Sequence, residues 1–269
     1  MSQMMPPITM VDVGAVKLAV RIWGSGPHLM LVHGLGTCSE LWVNQVEALG
    51  HDYRVIAVDL RGFGQSDRPR AANSYSIDLF ASDLVALAAR LGIDRLNYLG
   101  TSMGGFVGQI LALRNPGLIS SLLLVHTAAR MTMPSEIVAA RVAALQRQPM
   151  EEYARMVATQ ALAAGAQSPI FDWLVAMVAR NDRDAYVRVL TEALSDFDQS
   201  ASVASLRFPT LVVVGDSDRV IPAQGGLELA GLIPGAQTCM LQAAGHIGYA
   251  EQPEAFNKAV LSFLSRPAN

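Results

Sequence analysis

A serine, a histidine and two aspartates stand at spacings suited to cleaving an acyl bond. Ser102 lies in Gly100-Thr101-Ser102-Met103-Gly104, a G-x-S-x-G pattern. A serine hydroxyl is a poor nucleophile at neutral pH. It needs a base within hydrogen-bond reach, and the base needs an acid to orient it. Further along stand Gly215-Asp216-Ser217-Asp218 and Gly245-His246. Ser, then Asp, then His is the order expected when the serine sits on a strand-to-helix turn.

Elimination favours His246 as the base. The chain has five histidines. His28 opens an apolar run and His51 joins a helix to a strand, both at the far edge of the expected sheet. His33 belongs to the glycine-rich run His33-Gly34-Leu35-Gly36, where its ring is expected to brace the loop. His126 is on the right edge but precedes the acid, so we expect it in the pocket wall. For the acid, Asp218 is preferred because it stands beyond the strand. Asp216 is expected to tie down the strand end.

These residues need a scaffold. Leu96-Asn97-Tyr98-Leu99 reads as a buried strand, and Phe106 to Leu113 has helical spacing stopped by Asn115-Pro116. Ser102 then occupies a sharp turn. Gly100 and Gly104 are required there because side chains would collide as strand and helix pass. The Met103 amide opens the helix, and the Leu35 amide comes from the glycine-rich loop. Together they are expected to form the oxyanion hole.

The rest of the chain fits around this turn. Ile8 to Val13 and Val16 to Trp23 read as a hairpin. His28 to Val32, Arg54 to Val58 and Leu122 to Val125 are short apolar runs of buried strands. Ser39 and Ser76 are expected to cap helices. Asp59 and Arg61 are expected to lock a polar turn. Strands alternate with helices up to His126, the pattern of a parallel sheet with helices on both faces. From 131 to 205 the alternation stops and about four helices are expected, with no strand signal. This segment should form a helical cap inserted into a core of residues 1–130 and 206–269, shaping an apolar site. We expect substrate contacts from His126, Trp173 and Ile247, with Phe171, Met177, Met156 and Val157 as further candidates. The sheet resumes at Pro209 to Val214. A helix from about Ala223, a strand from Thr238 to Leu241 and a last helix opened by Pro253 follow, the last with Phe256, Val260, Phe263 and Leu264 as its buried stripe.

Composition narrows the function. Hydrophobic residues make up 51%, enough for a large core, and 269 residues suggest one large domain or one with an insertion. The net charge of −3 and the lack of a dense basic run argue against a nucleic-acid or membrane surface. Met1 to Met10 has neither the basic start nor the apolar core of a signal peptide. Cys38 and Cys239 form no metal spacing. As free thiols they would fit a reducing cytoplasm, and one bridge between them stays open. No ligand cluster or phosphate loop calls for a metal or organic cofactor.

Taken together, these runs, with Asp59-Leu60-Arg61-Gly62-Phe63-Gly64-Gln65-Ser66, resemble the α/β-hydrolase superfamily. Gly245-His246 followed by Glu251-Gln252-Pro253-Glu254-Ala255-Phe256 is similar to the branch of 3-oxoadipate enol-lactonases and small esterases. The resemblance implies a mostly parallel sheet of about eight strands with a helical cap. It implies a Ser102–His246–Asp218 triad acting on a small-molecule ester or lactone through an acyl-enzyme. Serine at the nucleophile position separates the chain from dehalogenases and epoxide hydrolases, which use a carboxylate there. Carbon–carbon, amide or carbamate cleavage on the same triad stays open, as does a receptor-like role with little turnover. For a dienoate substrate, Arg130, Arg155, Arg180 and Arg188 are the candidate cations.

Overall fold

In the computed structural model of the chain, residues 5–166 and 168–265 are described. The first half runs β1 (Ile8–Asp12), β2 (Lys17–Trp23), β3 (His28–Val32), α1 (Val46–Gly50), β4 (Arg54–Val58), α2 (Ile77–Arg90), β5 (Leu96–Thr101), α3 (Met103–Arg114) and β6 (Ile119–Val125). An insertion follows: β7 (Arg130–Thr132), α4 (Ser135–Arg147), α5 (Met150–Ala161), α6 (Ser168–Ala179), α7 (Arg183–Arg188) and β8 (Asp196–Asp198). The chain then returns as β9 (Thr210–Gly215), α8 (Ala223–Leu232), β10 (Gln237–Leu241), α9 (Gly248–Glu251) and α10 (Pro253–Leu264).

Eight strands form one sheet in the order β1-β2-β4-β3-β5-β6-β9-β10. The β1–β2 hairpin is antiparallel, and β2 pairs antiparallel with β4. From β4 across to β10 every pairing is parallel. Strands β5, β6 and β9 are buried along almost their whole length, so both faces of the sheet are covered. This burial is the source of the continuous apolar runs in the sequence. Helix α3 is buried all round from Met103 to Ala112, as a helix wedged between layers must be.

Local signals behave as their chemistry dictates. Ser76 caps α2 by accepting a hydrogen bond from the Leu79 N–H at 3.0 Å. Pro253 occupies the first turn of α10, whose Phe256, Val260 and Phe263 are buried. Ser39 does not cap a regular helix. Its N–H donates to Asp59 Oδ1 at 2.6 Å and its hydroxyl accepts from Arg21 Nε at 3.1 Å. The segment Ser39–Gln45 is instead a 3₁₀ helix with a kink at Trp42. Asp59 anchors the polar turn as expected, with Oδ2 accepting from the Gln65 N–H at 2.9 Å. Arg61 differs: it forms a buried two-pronged pair with Asp83 of α2.

Among the described residues the insertion carries four α-helices, a π-helical turn at Val189–Ala193, and a ribbon that the sequence reading missed. Strands β7 and β8 pair antiparallel, so the chain enters and leaves the insertion at one point. Each strand has three residues, too few to show an alternating pattern. Cys38 and Cys239 are free thiols. Burial, aided by the nearby Asp59 charge, pushes the Cys38 thiol up to about 12. Among the described residues no helix is long and apolar enough to cross a membrane.

Candidate active site

The site grows from the turn between β5 and α3. Ser102 has φ 54° and ψ −117°, a conformation rare for a residue with a side chain. Surrounding contacts hold it there. The Ser102 N–H donates to the Val125 carbonyl at 2.9 Å, and the Thr127 hydroxyl donates to the Ser102 carbonyl at 3.0 Å. Both flanking glycines are needed for close approach. A Cβ on Gly100 would lie 2.2 Å from the Gly104 carbonyl oxygen, and one on Gly104 would lie 2.4 Å from that of Val32.

Ser102 opens into a cavity of about 100 Å³, which it shares with Leu35, Met103 and His246. The loop after β3 passes close behind it, since a Cβ on Gly34 would lie 3.0 Å from Ser102 Cβ. His33 braces this loop. Its Nδ1–H donates to the Gly34 carbonyl at 2.7 Å and its Nε2 accepts from the Leu60 N–H at 2.9 Å. Both ring nitrogens are spent, and burial holds the His33 pKa below the ordinary histidine value. Among the described residues, the N–H groups of Leu35 and Met103 donate to nothing. Met103 is also the first residue of α3, where the helix dipole favours negative charge.

His246 and Asp218 meet on the loops beyond β10 and β9. His246 Nδ1 lies 2.8 Å from Asp218 Oδ2. With Nδ1–H donating to the carboxylate, Nε2 is left as the basic nitrogen. Asp218 Oδ1 accepts the N–H groups of Val220 at 2.9 Å and Ile221 at 3.0 Å. Burial alone would raise the Asp218 pKa. The His246 and His126 contacts outweigh it and hold the carboxyl well below the usual carboxylate range. Asp216 ties down the neighbouring loop, accepting from the N–H groups of Ala243 at 3.0 Å and Ala244 at 3.2 Å. No hydrogen bond joins the Ser102 hydroxyl to the His246 ring in this conformation. Such contacts commonly tighten only once substrate is bound.

His126 is not in the cavity wall. It is buried behind the acid, with Nδ1 3.1 Å from Asp218 Oδ2 and Nε2 accepting from the Gly248 N–H at 3.2 Å. It sits at φ 47°, a left-handed position. Two imidazoles and a carboxylate with ligand atoms within 4.8 Å of one another make a metal-like grouping. Here both Nδ1 atoms are spent on Asp218 and His126 Nε2 on Gly248, which leaves only His246 Nε2 with a free lone pair.

Residues from the segment between β6 and β9 line part of the cavity. Met156 and Val157 line it, as expected from the sequence. Trp173, Phe171 and Ile247 do not: Trp173 and Phe171 pack half-buried against the core, and Ile247 is buried just after the histidine. Met177 borders a separate polar hollow. The sequence reading missed Met131, Met133, Arg141, Tyr153, Tyr186 and Leu194 from the insertion. It also missed Phe106, Val220 and Ile221. A signal existed for these last three. Phe106 is one helical turn after Ser102, and Val220-Ile221 follow the acid.

Insertion and core are tied together at the site. The His246 N–H donates to the Ala161 carbonyl at 2.6 Å. Glu251 accepts the Ala163 N–H on one oxygen and the Gly245 N–H on the other, each at 2.8 Å. Asn181 donates to the Gly36 carbonyl at 2.7 Å, holding the loop that carries Leu35.

A strained serine on a strand-to-helix turn, at the carboxyl edge of a mostly parallel eight-stranded sheet, defines a class. The chain belongs to the α/β-hydrolase fold family, whose model matches residues 27–164 and 158–253. Among curated relatives it is 30% identical over 260 residues to a putative carbamate hydrolase RutD of Stutzerimonas stutzeri, covering 93% of this chain and 96% of the relative. It is 31% identical over 243 residues to 3-oxoadipate enol-lactonase 2 of Acinetobacter baylyi, covering 89% of each. Among solved structures, the enol-lactonase from Burkholderia xenovorans LB400 superposes with a TM-score of 0.89 at 30% identity, covering 96% of this chain and all of that one.

Proposed function

We propose that the chain is a serine hydrolase of a small carboxylic ester or lactone, with Ser102, His246 and Asp218 as its triad. One observation carries the reading: Ser102 and His246 face the same cavity, and the histidine's other nitrogen is held by Asp218. In this mechanism His246 Nε2 takes the Ser102 proton as the oxygen attacks the acyl carbon. Asp218 stabilises the imidazolium. The N–H groups of Leu35 and Met103 receive the developing oxyanion, each worth roughly 2.7–4 kcal/mol in comparable sites. The imidazolium protonates the leaving group, and water activated by the same ring releases the acid. Segment 131–205 acts as the cap that excludes water. The free thiols support a reducing, cytoplasmic setting.

A carbamate is the second reading, favoured by the relatives named as carbamate hydrolases. It needs the same triad and differs only in the atom beside the carbonyl.

The test is turnover of p-nitrophenyl acetate and butyrate, together with mass spectrometry after a fluorophosphonate. We expect a covalent adduct on Ser102 and a fall in kcat of about 10⁴-fold or more in Ser102→Ala. Turnover that survives this substitution would falsify the triad.

A further inference from the structure

An apolar cavity that holds an unpaired cation needs a reason, because burying an uncompensated charge is costly. Among the described residues lining the Ser102 cavity, Arg141 is the one Lys or Arg, and there is no Asp or Glu. Arg141 projects from the middle of α4 and is half-buried. Four of the insertion's other arginines find acceptors: Arg155 pairs with Glu151, Arg180 with Glu40 and Arg188 with Glu192, and Arg183 donates to the Gln148 carbonyl. Arg141 has no ion pair among the described residues. Arg130 and Arg147 lie outside the cavity lining, which leaves Arg141 as the arginine at the reacting serine's space.

Beside it stand Tyr153 and Tyr186, both buried and both lining the cavity. Their rings meet edge to face at 5.5 Å. Phenol O–H groups that line a cavity are donors a ligand can use. Burial raises both phenol pKa values, so both stay protonated, and the Arg141 charge acts on each of them. A guanidinium beside phenol O–H donors is an arrangement that binds a carboxylate.

We propose that Arg141, assisted by the Tyr153–Tyr186 pair, binds a free carboxylate on the substrate. The preferred substrate is then an ester or lactone that carries a second, unesterified acid group. A cavity of about 100 Å³ limits that group to a few bonds from the scissile carbonyl. The inference rests on Ser102 as the reacting atom.

The experiment has a kinetic arm and a binding arm. The first compares kcat/KM for mono-p-nitrophenyl glutarate and p-nitrophenyl methyl glutarate, with the Ser102→Ala rate subtracted as background. The wild type should favour the acid by about tenfold or more, a charge-assisted bond's worth, and Arg141→Gln should bring that ratio toward one. Arg141→Lys should keep part of it. The second arm titrates monomethyl glutarate and dimethyl glutarate into Ser102→Ala by calorimetry, then into Ser102→Ala/Arg141→Gln. The acid should bind more tightly only when Arg141 is present. Equal binding of acid and diester overturns the carboxylate site whatever the kinetics. Wild-type turnover no faster than Ser102→Ala overturns the triad and leaves the binding arm to decide on Arg141.

Discussion

At the residue scale, Asp218 is unusual in the number of donors it satisfies. Two imidazoles share Oδ2 and two backbone amides share Oδ1. His126 therefore acts through Asp218, not on substrate. Its Nε2 accepts from Gly248, which fixes the tautomer and aims Nδ1–H at the carboxylate. In His126→Leu the carboxylate loses one charge-assisted bond, worth about 1.5–3 kcal/mol. We expect kcat to fall by roughly tenfold to a hundredfold, with KM changing little, because the carboxylate that orients His246 is no longer held in place. Steady-state kinetics on a p-nitrophenyl ester check this, and an unchanged kcat would assign His126 to packing alone.

At the element scale, the contacts between insertion and core run through backbone groups and a few side chains. Gly245 shows how close they come: a Cβ there would lie 2.4 Å from the Ala161 carbonyl oxygen. Glu251 bridges the two sides with one oxygen each. Burial pushes its carboxyl up, against the pull of those two amides. Glu251→Gln keeps the shape but turns one acceptor into a donor facing an N–H. An unsatisfied buried amide costs about 1–3 kcal/mol. We expect a lower denaturation temperature together with a reduced kcat/KM, because the same bridge sets the His246 loop. A variant as stable and as active as the parent would show the bridge to be dispensable. Gly100 and Gly104 belong to the same scale, since they let α3 pass against β5 and β3.

At the scale of the whole molecule, buried imidazoles tie stability to pH. Burial holds His33 and His126 below the ordinary histidine value. The unfolded chain takes up protons near pH 6.5 that the folded chain refuses. Stability is thus full above that pH and declines as pH falls through it, by up to about 1.4 kcal/mol per pH unit for each imidazole. Asp218 acts in a lower window. Its depressed pKa adds stability above the unfolded value of about 3.9 that is lost as pH falls below it. Urea midpoints at pH 7.5, 6.5 and 5.5 should therefore decline well before Asp218 titrates. A flat profile across that range contradicts the assignment of both rings as buried and neutral.

The chain by itself determined what depends on neighbours in sequence. Gly100 avoids a clash within five residues, with the Gly104 carbonyl. Continuous apolar runs report strands buried on both faces, and Ser76 and Pro253 mark helix starts through local hydrogen bonding. The order Ser102, Asp218, His246 selected residues that do converge at one sheet edge, with His246 on Asp218. Tertiary packing decided the rest. α6 is so rich in apolar residues that periodicity could not say which side meets the cavity, and Trp173 packs elsewhere. His126 and His246 are 120 positions apart, and only strand order brings both to the same carboxylate oxygen. Arg141 looks like any surface arginine in an exposed helix until α4, α5 and α7 bring it to the cavity of Ser102, where no carboxylate among the described residues lines the space. A local pattern records the forces acting along the chain. Which way a side chain faces is set by what packs against it, and those partners are distant in sequence.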